Sequence, residues 1–168
     1  GGNLSSYMVG IVVKDDGSTM VVGSMNGTLN DFIIQYDMGT AFTIDSNVTV
    51  SSSSSDNLDI NPPEGLVGGV SVAGDGSKVY SFGRSTNEVN RFDLSTAWDL
   101  STGGSAVSSF NTSSQISLVY DGFVKNDGTE MYAVGYNPDN VYQYTLSTAH
   151  NLSTASLTNT FDISGKVT

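Results

Sequence analysis

Apolar and polar residues alternate along this chain in short segments, which are separated by turns rich in Gly, Asp, Ser and Asn. Three such segments near its start are residues 10–14, 20–22 and 32–36, where β-branched and aromatic side chains are frequent. Alternation with a period of two residues, built from these residue types, predicts β-strands. We find no helical periodicity over about ten residues. The pattern therefore predicts an all-β protein.

The segments recur three times in the same order, and an Asp-Gly pair follows the first segment of every copy. The pairs are Asp16-Gly17, Asp75-Gly76 and Asp127-Gly128. An Asp-Gly pair between two strand-like segments predicts a hairpin, because Gly tolerates the positive φ of a tight turn. A second glycine closes the next segment of each copy, where it would permit a bend or a close backbone approach. These glycines are Gly23, Gly83 and Gly135.

Four strand-like segments per copy, repeated every 52 to 59 residues, match the blades of a β-propeller. We therefore expect three four-stranded antiparallel blades, over residues 1–57, 58–112 and 113–168, within one repeat domain. The first blade is the most divergent of the three. It has a longer connection at residues 24–30 and ends in a Ser-rich loop at residues 51–55.

Three blades are too few for a closed ring, because propellers usually contain about four to eight. Each end blade would then expose an apolar flank that has no partner. Three arrangements remain open: a symmetric dimer that pools six blades, a piece of a longer chain, or a head-to-tail filament. We expect assembly rather than an isolated monomer, because repeats bury their faces against neighbouring repeats.

A bulky residue follows a Thr-Ala pair in every copy, and an aliphatic residue comes two positions later. The bulky residues are Phe42, Trp98 and His150, and the aliphatic ones are Ile44, Leu100 and Leu152. This spacing predicts side chains that fill a gap between neighbouring blades. His150 is the only histidine, so a histidine general base would have to be this residue. Its equivalence to Phe42 and Trp98 favours a packing role.

The balance of charge limits the partners of this chain. Six basic residues against seventeen acidic ones give a net charge of −11, which disfavours binding to nucleic acid and to anionic membranes. No apolar run reaches the roughly 18 residues of a membrane-spanning helix, so we expect no membrane insertion. Cysteine is absent, which excludes disulfides and thiolate chemistry. From the start at Gly1-Gly2-Asn3 we expect a removed leader or a piece of a longer chain.

The LSTA-type motifs carry a resemblance to a known repeat. The third copy reads DGTEMYAVG over residues 127–135 and VYQYTLSTA over residues 141–149. The second reads LSTAWDLST over residues 94–102, whereas the first has MGTAF at residues 38–42. These motifs resemble β-propeller-like repeats, with a consensus near DGtkMYvvG…vyQYdLSTAwdLSTAs, of tailed-phage structural proteins and of bacterial and environmental surface proteins. The resemblance implies an exposed building block, extracellular or on a virion, and supplies no shared catalytic residues.

Carboxylates are the candidates for catalysis and metal binding. Glu64 and Asp121 could act as the acid and base of a glycosidase, although a carboxylate beside Gly or Pro is more typical of a turn. Three acidic loops could hold calcium, although none has the spaced Asp-x-Asp-x-Asp-Gly pattern. They are residues 15–17, 56–59 and 137–140. We predict no cofactor, with calcium as the one alternative, because zinc and phosphate-binding motifs are absent.

Sugar binding is the other chemistry that the sequence offers, through aromatic residues next to Asp or Asn. The candidate residues are Trp98, Asp99, Tyr136 and Asn137. The first function that we predict is a non-enzymatic structural or adhesion protein, extracellular, on a cell surface or on a virion, that self-assembles through its repeats. Its partners would be copies of itself or neighbouring structural subunits, with cell-surface glycans as a further candidate. The alternatives are a carbohydrate-binding module and, more remotely, an extracellular lyase or glycosidase.

Overall fold

The computed structural model describes residues 6–26, 32–51, 57–60 and 66–165. Within these residues the protein is all-β, with three antiparallel sheets and two short 3₁₀ helices at Leu100–Thr102 and Leu152–Thr154. The predicted fold class is confirmed, since three propeller-like sheets follow one another along the chain and do not close into a ring. No helix in the described part of the chain is long and apolar enough to cross a membrane.

Sheet 1 contains β1 (Ser6–Val13), β2 (Thr19–Asn26), β3 (Phe32–Asp37), β4 (Thr49–Val50) and β5 (Leu58–Asp59). Its strands pair in the order β1-β2-β3, and both β4 and β5 pair with β3. The fourth strand is therefore divided between two segments. Residue 58, where we expected the second blade to begin, lies in sheet 1 because Leu58 pairs with Ile33. Most of the Ser-rich loop and of the long connection lies outside the described residues.

Sheets 2 and 3 each contain four strands that pair in chain order. Sheet 2 contains β6 (Val67–Val72), β7 (Lys78–Gly83), β8 (Glu88–Asp93) and β9 (Ser108–Asn111). Sheet 3 contains β10 (Leu118–Val124), β11 (Glu130–Tyr136), β12 (Asn140–Leu146) and β13 (Ala155–Asp162). The strands β1, β6 and β10 run beside one another, as the first strands of blades do around a propeller axis.

Each Asp-Gly pair lies in the turn between the first and second strands of its sheet, as predicted. Gly17, Gly76 and Gly128 have φ of +70°, +72° and +70°, a region that glycine adopts without strain. The aspartate carboxylate accepts hydrogen bonds from the residue two positions later. In sheet 2 the backbone N–H and the hydroxyl of Ser77 donate to Asp75, and these bonds lower the pKa of Asp75.

A β-bulge interrupts the first strand of each sheet beside the glycine of the second strand. A Cβ on Gly135 would collide with the carbonyl oxygen of Leu118, so the predicted close backbone approach is present. Of the three glycines predicted to close the second strand, Gly83 ends β7, Gly135 comes one residue before the end of β11, and Gly23 lies three residues inside β2. It comes six residues after its turn glycine, whereas Gly83 and Gly135 come seven residues after theirs.

The three sheets pack face to face, and two apolar clusters fill the two junctions. The first cluster includes Val21 and Ile33 from sheet 1 with Val79 and Phe92 from sheet 2. The second includes Tyr80 and Phe82 from sheet 2 with Met131 and Tyr144 from sheet 3. Sheet 2 is therefore buried on both faces. Sheets 1 and 3 each keep one outer face, which no other described sheet covers.

Replacing Gly128 with Val should lower the free energy of unfolding by about 1–3 kcal/mol, because a β-branched residue is strained at positive φ. The new Cβ would also collide with the His150 ring. Urea unfolding measures the change. Gly104→Val is the matched control, since a Cβ there meets no atom within 4 Å, and it should stay within about 0.5 kcal/mol of wild type. Equal stability of the two variants would contradict the turn assignment.

Candidate functional site

A hydrogen-bonded cluster joins sheet 3 to sheet 2 near the Asp-Gly turns. The Tyr80 hydroxyl lies 2.7 Å from Nδ1 of His150, and Nη1 of Arg91 donates to the His150 carbonyl oxygen at 2.6 Å. Nη2 of Arg91 also donates to Asp93 at 3.2 Å. Burial lowers the pKa of His150 and raises the pKa of Tyr80. The His150 side chain therefore serves the junction between two sheets, as its predicted packing role requires.

An aromatic pair extends the same junction. The Phe110 ring of sheet 2 lies edge-on to the Tyr144 ring of sheet 3, with their centroids 5.1 Å apart. Such a pair contributes about 0.5–1.5 kcal/mol beyond the burial of its area. The Ser71 hydroxyl oxygen accepts a hydrogen bond from the backbone N–H of Val124 at 3.3 Å. The junction thus combines apolar packing with a few hydrogen bonds that fix its register.

The junction between sheets 1 and 2 uses matching polar positions. Oε1 of Gln35 accepts a hydrogen bond from the backbone N–H of Leu100 at 3.0 Å. Gln35 holds the place in β3 that Arg91 holds in β8, two residues before the end of the strand. In both junctions this side chain bonds to the backbone of the segment around the 3₁₀ helix of the next sheet.

The apolar positions of the two junctions match as well. Leu58 of β5 pairs with Ile33, and Phe110 of β9 pairs with Val89. Leu58 and Phe110 both belong to the fourth strand and both pack toward the following sheet. The two junctions are therefore two versions of one interface.

The bulky residue after each Thr-Ala pair also closes the Asp-Gly turn of its own sheet. Phe42, Trp98 and His150 have φ of 56°, 62° and 64°, and each donates its backbone N–H to the carbonyl oxygen of the turn glycine. Each ring lies where a Cβ on that glycine would collide with it. The sequence did not predict this contact, because the partners are 22 to 25 residues apart. Trp98 additionally packs against the apolar cluster between sheets 1 and 2, and His150 reaches Tyr80 of the preceding sheet.

In sheets 2 and 3, one face packs against the sheet that comes before it in the chain. The residues at the same positions of sheet 1 lie on its outer face, where several of them are exposed. Ile44 is 77% exposed, whereas its counterparts Leu100 and Leu152 are 2% and 0% exposed. The other exposed large apolar residues of this face are Met8, Ile11, Val13, Phe42 and Val50. A hollow of about 400 Å³ lies among Met8, Ile11, Met20, Val22 and Tyr36.

In sheets 1 and 2, the other face packs against the sheet that comes next in the chain. The residues at the same positions of sheet 3 lie on its outer face. Phe161 pairs with Val141 in the fourth strand. It is 60% exposed, although its counterpart Leu58 is 3% exposed. Phe123 and Tyr136 are exposed on this face as well.

Gln143 is the residue of this outer face that corresponds to Gln35 and Arg91. It bonds within its own sheet, where it donates to the Tyr132 hydroxyl at 3.1 Å and accepts from Asn159 at 2.9 Å. The two outer faces thus carry the two halves of the interface that joins the sheets inside the chain.

The predicted sugar site is divided between opposite ends of the sheets. Trp98 covers the Asp-Gly turn of sheet 2, and the turns of sheets 2 and 3 lie side by side. The Asp99 carboxylate caps the following 3₁₀ helix by accepting hydrogen bonds from Ser101. Tyr136 and Asn137 lie at the far end of β11 from its turn. The structure therefore does not bring these four residues into one platform.

Asp121 lines a concavity of about 410 Å³ beside the first strands of the three sheets. Burial raises the pKa of Asp121, and its carboxylate accepts a hydrogen bond from the backbone N–H of Gly122 at 2.9 Å. The other described residues that line this concavity carry no charge. Glu64, the predicted partner of Asp121, lies outside the described residues. Acid–base hydrolysis of a glycosidic bond uses two carboxyl groups, and the described lining supplies one.

The acidic loops were the candidates for calcium. Across the residues that the structure describes, no group of three or more His, Cys, Asp or Glu could hold a metal ion. Asp16 instead bonds to Lys14 at 2.8 Å and to Ser18, and these partners hold its pKa well below the usual value. In the second candidate loop residue 56 lies outside the described residues. In the third, residues 137–139 connect β11 to β12, and Asn140 is the first residue of β12.

No protein-family model and no curated protein matches this chain. Solved structures do. A Bacteroides uniformis ATCC 8492 protein, provisionally named a 6-phosphogluconolactonase, matches 94% of the chain with a TM-score of 0.64 and 13% identity. A Bacteroides fragilis NCTC 9343 protein with the same provisional name matches 92%, with a TM-score of 0.63 and 12% identity. The β-propeller domain of Cps50 (Swd1) from Myceliophteria thermophila matches 94%, with a TM-score of 0.52 and 13% identity.

These likenesses concern the fold. The chain spans 41%, 41% and 44% of the three matched chains, which is less than half of each. At 12–13% identity the comparison shows a propeller-like arrangement of sheets and transfers no activity.

The protein should lose stability as the pH falls below about 6.5, the ordinary pKa of histidine. Burial lowers the pKa of His150 in the folded state, so the unfolded chain binds a proton that the folded chain does not bind. The stabilising difference is complete above the ordinary pKa and is lost toward acid pH. Lys78 and Arg91 also lower this pKa, whereas Asp75 and Asp127 oppose them.

Urea unfolding of wild type and of His150→Gln, over the range from neutral to mildly acid pH, measures this effect. The difference in unfolding free energy between the two proteins should shrink as the pH falls. A constant difference across the range would show that His150 does not titrate with folding.

Proposed function

We propose that this chain is a non-enzymatic structural protein that self-assembles through the outer faces of sheets 1 and 3. The observation that carries the proposal is the exposure of residues whose counterparts are buried inside the chain. Ile44 is the clearest case, because Leu100 and Leu152 at the same position are almost fully buried. Phe161 is exposed as well, whereas its counterparts Leu58 and Phe110 are buried and half-buried. Contiguous apolar surface that corresponds to a packed interface is typical of a site that binds another protein surface.

The magnitudes favour reversible association. Nine large apolar residues are exposed on the two outer faces: Met8, Ile11, Val13, Phe42, Ile44, Val50, Phe123, Tyr136 and Phe161. Full burial of one such side chain contributes about 1.5–3 kcal/mol, and these side chains are roughly half exposed, so each would add about 1 kcal/mol. Their sum is similar to the association cost of about 4–15 kcal/mol. We therefore expect assembly that depends on protein concentration.

The number of sheets supports the same proposal. Closed propellers have about four to eight blades, whereas the described residues form three sheets. The matched structures are more than twice as long as this chain. Additional sheets, supplied by other copies, would cover both outer faces.

The extracellular or virion-surface location belongs to this proposal, and it rests on the resemblance to phage and surface-protein repeats. We favour a non-enzymatic role because Asp121 stands as the single charged residue among the described residues that line its concavity. The provisional enzyme name of the two Bacteroides structures is the reason to keep catalysis as the competing hypothesis.

Light scattering across a range of protein concentrations tests the proposal. The mass of wild type should rise with concentration above the 17.6 kDa of one chain. Ile44→Asp should raise the apparent Kd of self-association at least tenfold, because it places a charge in the buried interface. Val107→Asp is the matched control, since Val107 is exposed and lies directly before β9 of sheet 2, outside both outer faces. A wild-type mass that stays at one chain at every concentration would contradict self-assembly.

A further inference from the structure

We infer that the assembly is head-to-tail. In this arrangement the outer face of sheet 3 in one copy packs on the outer face of sheet 1 in a second copy, as sheet 2 packs on sheet 3 inside the chain. The inference rests on the proposed self-assembly and specifies its interface. Its evidence is the match between residues of the two internal junctions and residues that stand exposed at the two ends.

Both residues of the aromatic contact between sheets 2 and 3 have equivalent residues on the two outer faces. Phe110 of the fourth strand of sheet 2 lies edge-on to Tyr144 of sheet 3. Phe161 occupies the position of Phe110 in the fourth strand of sheet 3, and Tyr36 occupies the position of Tyr144 in sheet 1. Head-to-tail packing would therefore place Phe161 of one copy against Tyr36 of the next. Tyr36 lines the hollow of the outer face of sheet 1.

The polar contacts have counterparts in the same way. Gln35 accepts a hydrogen bond from the backbone of Leu100 inside the chain, and the matching residues at the ends are Gln143 and Ile44. Gln143 would turn from its present partners in sheet 3 to the backbone N–H of Ile44 in the next copy. This contact would fix the register of the two copies, as Gln35 does between sheets 1 and 2.

The polar residues of the outer face of sheet 3 disfavour pairing of that face with a second copy of itself. The outer face of sheet 3 carries a polar row in which Tyr132 donates to Glu130 at 2.9 Å and accepts from Gln143. Two such faces together would bring two Glu130 carboxylates into one interface, and like charges across an interface oppose binding. The outer face of sheet 1 is apolar and contains a hollow. The internal junctions pair the same two sets of positions that these faces carry, so we expect each face to bind the other. Two copies supply six sheets, within the size range of closed propellers.

Two variants of the full chain test this arrangement. Ile44→Asp blocks the outer face of sheet 1, and Phe161→Asp blocks the outer face of sheet 3. Both residues are exposed, so each variant should keep the wild-type unfolding free energy, which is measured first. In a head-to-tail assembly each variant alone lacks one half of every junction and should remain a single chain.

Mixing the two variants is the decisive step. The intact sheet 3 face of Ile44→Asp can bind the intact sheet 1 face of Phe161→Asp, so the mixture should form a complex of twice the 17.6 kDa chain mass. Replacing one variant in the mixture with the double variant Ile44→Asp/Phe161→Asp, which has neither face intact, should abolish the complex. Either single variant associating as wild type does would overturn the head-to-tail arrangement and leave self-assembly standing. Wild type that never associates would overturn both proposals.

Discussion

A β-sheet face that carries apolar side chains is stable in water only when another surface covers it, and this constraint organises the whole chain. Each sheet carries apolar side chains on both of its faces, and two junctions between neighbouring sheets cover four of these six faces. Sheet 2 satisfies the constraint on both sides, through Val79 and Phe92 toward sheet 1 and through Tyr80 and Phe82 toward sheet 3. Sheets 1 and 3 satisfy it on one side each.

The same constraint explains why equivalent residues of the three sheets differ in burial. The loop after the third strand must hold a ring against the turn glycine of its own sheet, which puts Phe42, Trp98 and His150 at positive φ. In sheets 2 and 3 the aliphatic residue that follows this ring, Leu100 or Leu152, is buried between sheets. In sheet 1 that loop faces outward, so the contacts that hold Trp98 and His150 against a preceding sheet have no counterpart for Phe42 among the described residues. The position of a sheet in the series, more than its own residues, decides what is buried.

Much of the fold could be predicted from the sequence, because its signals are local. The Asp-Gly turns and the alternating segments lie within a few residues of one another, and they predicted the strands and the sheets. The exceptions involve contacts between distant residues. Gly23 was expected at the end of a strand, and the register that places it inside β2 depends on pairing with β1. Leu58 was assigned to the second blade, although it pairs with Ile33 of sheet 1. This pairing spans 25 residues, so no local pattern indicates it. The sugar site was predicted from residue types alone. Trp98 and Tyr136 lie at opposite ends of the sheets, and the sequence does not show this separation.

A density map of the associated protein tests most directly whether the outer faces are halves of one interface. Packed sheets lie about 10 Å apart, and we expect this spacing to continue from sheet 3 of one copy to sheet 1 of the next. Phe161 should then contact Tyr36 across the boundary. A map in which copies meet through strand edges or loops, with both outer faces left in solvent, would contradict the account.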